Sequence, residues 1–404
     1  MNLGFKYKLQ PDNSQKSILE NYMFIDNQIR NICINLNLKR YQANLSKEKS
    51  ERKYLSYNDY YNACKGILSE RHIKPKTAHL NVAIRNFEKD LKLTFKVNSR
   101  GLPKFHKAEN HKHFTINNQN FKISNINSKW SILKFYKQKI KFRRHREFEG
   151  RPLFATITRD SVGDFYVSIC CECQKETPEN NGSIVGIDLN IHNITTSDGI
   201  VYLNQFQTKH TLKLKNLERK KSSKRIGSNK RKFLQRKINL LHRKASRKIT
   251  DFNHKVTKIL TSSHKVVVAE DLKLAKMQTS TKVHRGTKRN LSQSKLGEIL
   301  SFLQYKAKLN GAKIESVNPA YTSKRCPRCG RINNSLELSD RTYNCICGLS
   351  LDRDYNAAIN IRKSYREGTS QNALAYAAGG LQKYVFRQNL QILNHAPEGS
   401  CGAL

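Results

Sequence analysis

The sequence predicts an α/β domain with an inserted cysteine ribbon, preceded by a small β-barrel that a helical insertion interrupts. Three observations predict it. Two apolar runs, residues 183–190 and 266–272, read as buried strands, and each carries an acid at its end: Asp188 in the first, Glu270 and Asp271 in the second. Four cysteines, Cys326, Cys329, Cys345 and Cys347, fall within 22 residues, and an acidic cluster follows at once. Before residue 181 the chain is mostly short strand-like runs, broken by one stretch of helical period.

Composition bounds the partners. The chain has 404 residues, a length that suggests two to four domains. Lys and Arg number 75 against 31 Asp and Glu, for a formal net charge of +44. Such a charge opposes compaction unless a polyanion neutralises it. Nucleic acid is the polyanion of choice, because each phosphate contact releases condensed counterions. A membrane surface is the competitor, but no apolar run of about 18 residues is present to span a bilayer. Residues 1–11 are strand-like and charged, unlike a signal peptide, so a cytosolic bacterial protein is expected. Ten cysteines are too few and too clustered for a disulfide framework.

Residues 5–9 alternate apolar and polar up to Pro11, as a half-buried strand does. Ile18, Tyr22, Ile25, Ile29, Ile32 and Leu36 then step by three and four, one stripe of a long helix capped by Asn13 or Ser14. A second helix is expected from Pro75, with Leu80, Ala83, Phe87 and Leu91 on one face. Together they make a helical insertion over residues 12–98. Strand-like runs follow at 121–123, 131–135, 140–142 and 155–158, and Gly163-Asp164 turns the chain into a last strand at 165–169. With residues 1–11, the segment 99–181 is the expected barrel. Cys170, Cys171 and Cys173 close that strand with no partner pair nearby, and read as plain strand cysteines.

A polar linker at 176–182 marks a boundary. After the strand carrying Asp188, residues 194–196 and 200–202 flank a Ser197-Asp198-Gly199 turn and complete an antiparallel meander, the opening of ribonuclease-H-like folds. Residues 210–255 are basic and helical, with Leu234, Ile238, Leu241, Ala245 and Ile249 in one apolar stripe and a break at 226–229. Their charges share one sign, so phosphate binding is expected over mere solvation, and Lys230, Arg231, Lys232 and Arg236 are the candidate nucleic-acid contacts. Residues 273–290 lack periodicity and read as a mobile loop. A helix at 295–309, stopped by Gly311, and a strand at 313–317 come next.

Cys326 and Cys329 have the two-residue gap of a zinc knuckle, and Gly330 eases its turn. Cys345 and Cys347 have only one residue between them, a departure from the usual spacing. A single structural Zn²⁺ on four thiolates is the expectation, with a reduced, buried cysteine cluster as the alternative.

The run Tyr321-Thr-Ser-Lys-Arg-Cys326-Pro-Arg-Cys329-Gly330, the second cysteine pair, and Asp352-Arg-Asp354-Tyr-Asn356-Ala-Ala-Ile-Asn360-Ile361 together resemble the C-terminal signature of the TnpB family. These are the OrfB proteins of small insertion sequences, relatives of type V CRISPR effectors. The resemblance covers the chain to about Arg366, strongly over 183–361. It implies a RuvC-like (ribonuclease-H-like) nuclease domain over 182–320 and 351–366, with a zinc ribbon at 321–350. It also implies a wedge-like barrel over 1–11 and 99–181 and a helical recognition domain over 12–98. Residues 367–404 are left as a partly disordered tail.

The same resemblance implies an RNA-guided DNA endonuclease. Its guide RNA would come from the transposon end, and it would cut double-stranded DNA beside a short target-adjacent motif. Asp188, Glu270 and Asp354 would hold two catalytic Mg²⁺, with Asp188 bridging them; carboxylates are the hard ligands that Mg²⁺ requires. The family places its third acid immediately before x-Asn-Ala-Ala, which selects Asp354 over Asp352. Asp352 is then expected to cap, and Asp271 to lie on the other strand face. Two rivals stand: a guide-independent transposase or resolvase, and an RNA-guided binder that has lost cleavage.

Overall fold

The computed structural model describes residues 1–97, 100–203, 207–281, 283–337 and 339–377. It divides into two compact units: Met1–Glu176 with Lys209–Ala245, and Thr177–Thr208 with the chain from Ser246 on.

The first unit opens with β1 (Asn2–Gln10), in which Phe5, Tyr7 and Leu9 are buried in alternation. α1 (Asn13–Leu45) follows. Its cap is Asp12, one residue before the expected Asn13 or Ser14, because the Asp12 carboxylate reaches the amide of Gln15 while Gln15 reaches back. α2 (Tyr57–Glu70) has no counterpart in the sequence reading. Its buried stripe is Tyr60, Cys64 and Leu68, only one of them aliphatic. α3 (Thr77–Lys96) packs Leu80, Ala83, Ile84 and Phe87 against Ile25, Ile29 and Ile32 of α1 and the stripe of α2. Asp26, buried in α1, receives His79 of α3 at 3.1 Å and His111 at 2.8 Å.

Six more strands build the rest of this unit: β2 (His113–Asn117), β3 (Phe121–Asn125), β4 (Trp130–Phe135), β5 (Gln138–Arg143), β6 (Arg151–Arg159) and β7 (Phe165–Glu172). Their order is β2-β6-β7-β1-β5-β4-β3, antiparallel throughout. One core takes side chains from all seven strands and from Leu19 and Met23 of α1, so the sheet curls around it. The edge strands β2 and β3 are joined by a 3₁₀ turn, Asn118–Asn120, and no pairing between them closes the ring among the described residues. Cys170, Cys171 and Cys173 are free cysteines at the end of β7.

The second unit contains β8 (Ser183–Leu189), β9 (Asn193–Thr196) and β10 (Val201–Leu203). The basic helices α4 (Gln207–Ser222) and α5 (Asn229–Ser263) intervene, with the expected break between them. The expected nuclease segment 182–320 is divided here. Lys209–Ala245 falls in the first unit, where Asn239 donates to the carbonyl of Ser161 and Arg243 pairs with Asp160 at 2.9 Å and Asp164 at 2.5 Å. Next come β11 (His264–Glu270), α6 (Leu274–Thr279), α7 (Arg285–Ser294), α8 (Leu296–Asn310) and β12 (Lys313–Val317).

The expected mobile loop at 273–290 is thus largely helical. The burial of Leu291 and Ser294 anchors α7 with only one apolar residue, too few to register as a period. The sheet order is β10-β9-β8-β11-β12, with β8, β11 and β12 parallel and the rest antiparallel. One face is covered by the C-terminal half of α5 with α7 and α8, through Val256, Leu260, Leu291, Leu296, Ile299 and Leu303.

The cysteine stretch forms a ribbon with β13 (Thr342–Asn344) paired to β14 (Ser350–Asp352), closed over Leu336 and Tyr343. β14 runs directly into α9 (Arg353–Ala377), whose Ile361 packs on Val266 and Val268 over the other sheet face. Of the expected tail, 367–377 continue this helix, and 378–404 lie outside the described residues. Among the described residues no helix is long and apolar enough to cross a membrane.

Candidate active site

Strand pleating decides where the acids point. Ile184, Gly186 and Asp188 share one face of β8, and Val266, Val268 and Glu270 share one face of β11. Val268 pairs with Gly186 and Ala269 with Ile187, so Asp188 and Glu270 come side by side where the two parallel strands end. Val266 and Val268 pack against α9, so both acids sit on the α9 face. Asp271 lies just beyond the end of β11 and pairs with Lys273. The third acid arrives on the helix. Gly186 has no side chain, which lets α9 lie directly on β8 at Ala358 and Arg362. Asp354 is one turn before Ala358 on the same helix face, and Asp188 is two residues after Gly186 on the same strand face. Four helix residues and two strand residues span similar lengths, about 6 Å and 6.6 Å. Strand and helix therefore bring Asp354 to Asp188.

The electrostatics agree. Burial, then the charges of Glu270 and Asp354, push the Asp188 carboxyl up to about 7, against a hydrogen bond from Asn190 and the charge of Arg353. Burial also raises Glu270, opposed by a hydrogen bond from Thr322. One oxygen of each carboxylate is held: Asn190 donates to Asp188 at 2.9 Å, Asn193 to Asp354 at 3.0 Å, and Thr322 to Glu270 at 2.5 Å. The second oxygen of each accepts no hydrogen bond from the described residues. Half-buried anionic oxygens, mutually repelling and free of proton donors, fit a hard divalent cation such as Mg²⁺. Asp352 does something else. Its Oδ1 accepts from the amides of Asp354 at 2.9 Å and Tyr355 at 3.0 Å, so it is the N-cap of α9.

Among the described residues only the four cysteines gather three or more ligand atoms within 4.8 Å of one another. Cys326 faces Cys347 and Cys329 faces Cys345, each pair with sulfurs 3.6 Å apart. A tetrahedral Zn²⁺ with Zn–S near 2.3 Å has edges of about 3.8 Å, so the thiols fit the ion despite the tight Cys345-Ile346-Cys347 bite. Gly330 and Gly348 turn each knuckle at φ of +76° and +83°, a region that favours glycine. Burial pushes the Cys326 thiol up, but hydrogen bonds from the amides of Cys329 and Arg328 and from the thiols of Cys345 and Cys329 more than reverse it, to about 6.

The basic candidates divide. Lys230, Lys232 and Arg236 are exposed on α5. Arg231 is half-buried and donates to the carbonyls of Lys221 at 3.1 Å and Lys224 at 2.8 Å, closing the turn after α4. Sequence reasoning gave no role to Asn190, Asn193, Thr322, Asn356 or Asn360. The two helix asparagines lie in the Asp354-Tyr-Asn356-Ala-Ala-Ile-Asn360 motif, four residues apart and therefore on one face, which is the signal the sequence offers.

Comparison with known proteins adds the following. The family model OrfB_IS605, described as "Probable transposase", matches residues 168–281, and the Cas12f1-like TNB domain model matches 297–361. A Methanocaldococcus jannaschii relative, TnpB-like protein MJ0751, is 31% identical over 203 residues, covering 47% of this chain and 72% of that protein. An Escherichia coli (strain K12) relative carries the provisional name RNA-guided DNA endonuclease InsQ. It is 32% identical over 238 residues, 55% of this chain and 59% of that protein. A Streptomyces pristinaespiralis relative with the provisional name RNA-guided DNA endonuclease is 31% identical over 52% of each chain. The chain thus spans between half and three fifths of the length of these last two. Among solved structures, the cryo-EM structure of the Cas12f1-sgRNA-target DNA complex shares the fold, with a TM-score of 0.57 at 18% identity over 86% of this chain and 82% of that one.

Proposed function

The chain belongs to the TnpB (OrfB) family, and on that premise we propose that it is an RNA-guided DNA endonuclease with Asp188, Glu270 and Asp354 as its catalytic carboxylates. The observation that carries this reading is the convergence of the three acids on one sheet face, with the Asp188 carboxyl raised by burial and by the other two. Crowding anions in a half-buried site is unfavourable by itself and becomes favourable around cations. Bound there, Mg²⁺ would activate a water for attack on the phosphodiester and stabilise the leaving oxygen.

The protein's own part is positioning. Asn190, Asn193 and Thr322 each fix one carboxylate oxygen and leave the other for the ion. Asp352 caps the start of α9 and takes no part in holding the ions. The ribbon cysteines would hold one structural Zn²⁺, with no open position for water. The first unit and α4–α5 would bind a guide RNA derived from the transposon end, in keeping with the net charge of +44. Base pairing would then select double-stranded DNA beside a short motif.

A guide-independent transposase is the second reading, favoured by the description of the family model that matches residues 168–281. Sequencing the nucleic acid that co-purifies with the protein separates the two. A discrete structured RNA, carrying transposon-end sequence followed by a variable segment, is expected. Protein free of any defined RNA, yet active on transposon-end DNA, would favour the transposase.

A further inference from the structure

The ribbon does not hang free of the acids. Its entry segment is clamped to α9 by two buried amides one helical turn apart. Asn360 donates to the carbonyls of Thr322 at 2.8 Å and Arg325 at 2.6 Å. Asn356 donates to the carbonyls of Ser323 at 3.0 Å and Arg325 at 3.1 Å. Asn356 and Asn360 are 0% and 3% exposed, so these bonds are shielded from water and hold the backbone of 322–325 tightly. The same helix carries Asp354, and Cys326 of the knuckle follows at once. The side chain of Thr322 is therefore aimed by backbone that α9 itself fixes.

That side chain lies 6% exposed, with its hydroxyl 2.5 Å from Oε1 of Glu270 and 3.2 Å from the carbonyl oxygen of Pro319. A hydroxyl has one proton, and the nearer, anionic acceptor takes it. Glu270 ends β11, and its carboxylate accepts no other hydrogen bond among the described residues. The bond therefore selects among χ rotamers that an exposed glutamate samples widely.

We propose that Thr322 is the positioning residue for Glu270: its hydroxyl, fixed by the Asn356 and Asn360 clamp, holds one carboxylate oxygen so that the other faces the cation site. The inference rests on the reading of Glu270 as a metal ligand. It makes the ribbon entry a part of the active site, tying the knuckle, Glu270 and the helix of Asp354 into one assembly. Partners of this kind that hold metal ligands typically contribute 10–100-fold in metal affinity.

The test uses the whole chain, zinc-loaded and freed of nucleic acid, with Mn²⁺ titrated by calorimetry or electron paramagnetic resonance. Thr322→Val removes the hydroxyl at nearly constant shape, and Thr322→Ser keeps it. Thr322→Val should weaken Mn²⁺ binding about tenfold with zinc content and melting temperature unchanged. It should raise the metal concentration for half-maximal cleavage by a similar factor, with most of the rate recovered at saturation. Thr322→Ser should stay within about twofold of the parent, since the donor is retained. Wild-type affinity in Thr322→Val, or a Thr322→Ser as weak as Thr322→Val, overturns the proposal. Glu270→Gln identifies which reading failed. If it binds Mn²⁺ like the parent, Glu270 is no ligand and both readings fall. If it is weakened while Thr322→Val is not, only the role of Thr322 falls.

Discussion

Gly186 of β8 and Ala358 of α9 are in main-chain contact: a Cβ on Gly186 would sit 2.3 Å from the carbonyl oxygen of Ala358 and 2.6 Å from the amide nitrogen of Arg362. This contact sets the distance between the strand of Asp188 and the helix of Asp354. Gly186→Ala must push helix and strand apart, because the obstructing atoms are backbone and cannot rotate away. A stability loss of about 2 kcal/mol or more is expected. Cleavage should fall further than the stability loss explains, because Asp354 retreats from Asp188. Chemical denaturation and a cleavage assay on folded protein check both; a Gly186→Ala variant of parental stability and rate would refute the close-packing account.

The knuckle is expected to be structural. One zinc per chain should appear by elemental analysis. Cys326→Ser should lower zinc content and melting temperature together, because the metal replaces a core that Leu336 and Tyr343 are too few to supply. A zinc-free chain with unaltered melting and cleavage would remove the ion from the account.

Salt dependence tests the basic helix. Lys230, Lys232 and Arg236 are exposed, while Arg231 serves the turn after α4. Replacing the first three by Gln should reduce the slope of log affinity against log salt by about 2, since each lost phosphate contact removes roughly 0.7–0.9. Arg231→Gln should instead lower stability. An unchanged slope in the triple variant would take α5 off the RNA surface.

A pH effect is built into the first unit. Burial pushes the Asp26 carboxyl up, but hydrogen bonds from His111 and His79 and their charge more than reverse it, from 3.8 to about 2. The folded state thus takes up this proton less readily than the unfolded one. The group contributes about 2 kcal/mol above pH 5, which falls by about half near pH 3 and vanishes below pH 2. Asp26→Asn should be less stable than the parent at neutral pH, with the gap closing as pH falls through that window. A gap independent of pH would show that packing, and not the charge, stabilises the cluster.

Much of this was legible in the sequence because it lay in periods and short motifs. The placement of Asp188 and Glu270 at adjacent strand ends follows from apolar runs that end in acids, and the cap at Asp352 from its place at a helix start. The two-residue shift between Asp352 and Asp354 needed the family motif, since local chemistry permits either. What escaped were short stripes of few aliphatic residues and contacts between single side chains. α2 buries tyrosine and cysteine, and α7 buries almost nothing apolar. The cap of α1 fell on Asp12 because a side chain two bonds from the backbone can reach an amide that sequence spacing leaves open among neighbours. Thr322 lies in the family motif, but its bond to Glu270 spans 52 positions and only the folded chain brings them together.

The most direct measurement is cleavage of a guide-matched duplex by the RNA-loaded protein, with Mg²⁺ and with chelator. Asp188→Ala, Glu270→Ala, Asp354→Ala and Asp352→Ala are compared with the parent. The first three should lose several orders of magnitude in rate while retaining RNA and target binding, because the charge that binds nucleic acid lies elsewhere. Asp352→Ala should lose about 1 kcal/mol of stability as a cap and keep most of its activity. Cutting by Asp188→Ala, or an active Asp354→Ala beside a dead Asp352→Ala, would contradict the account.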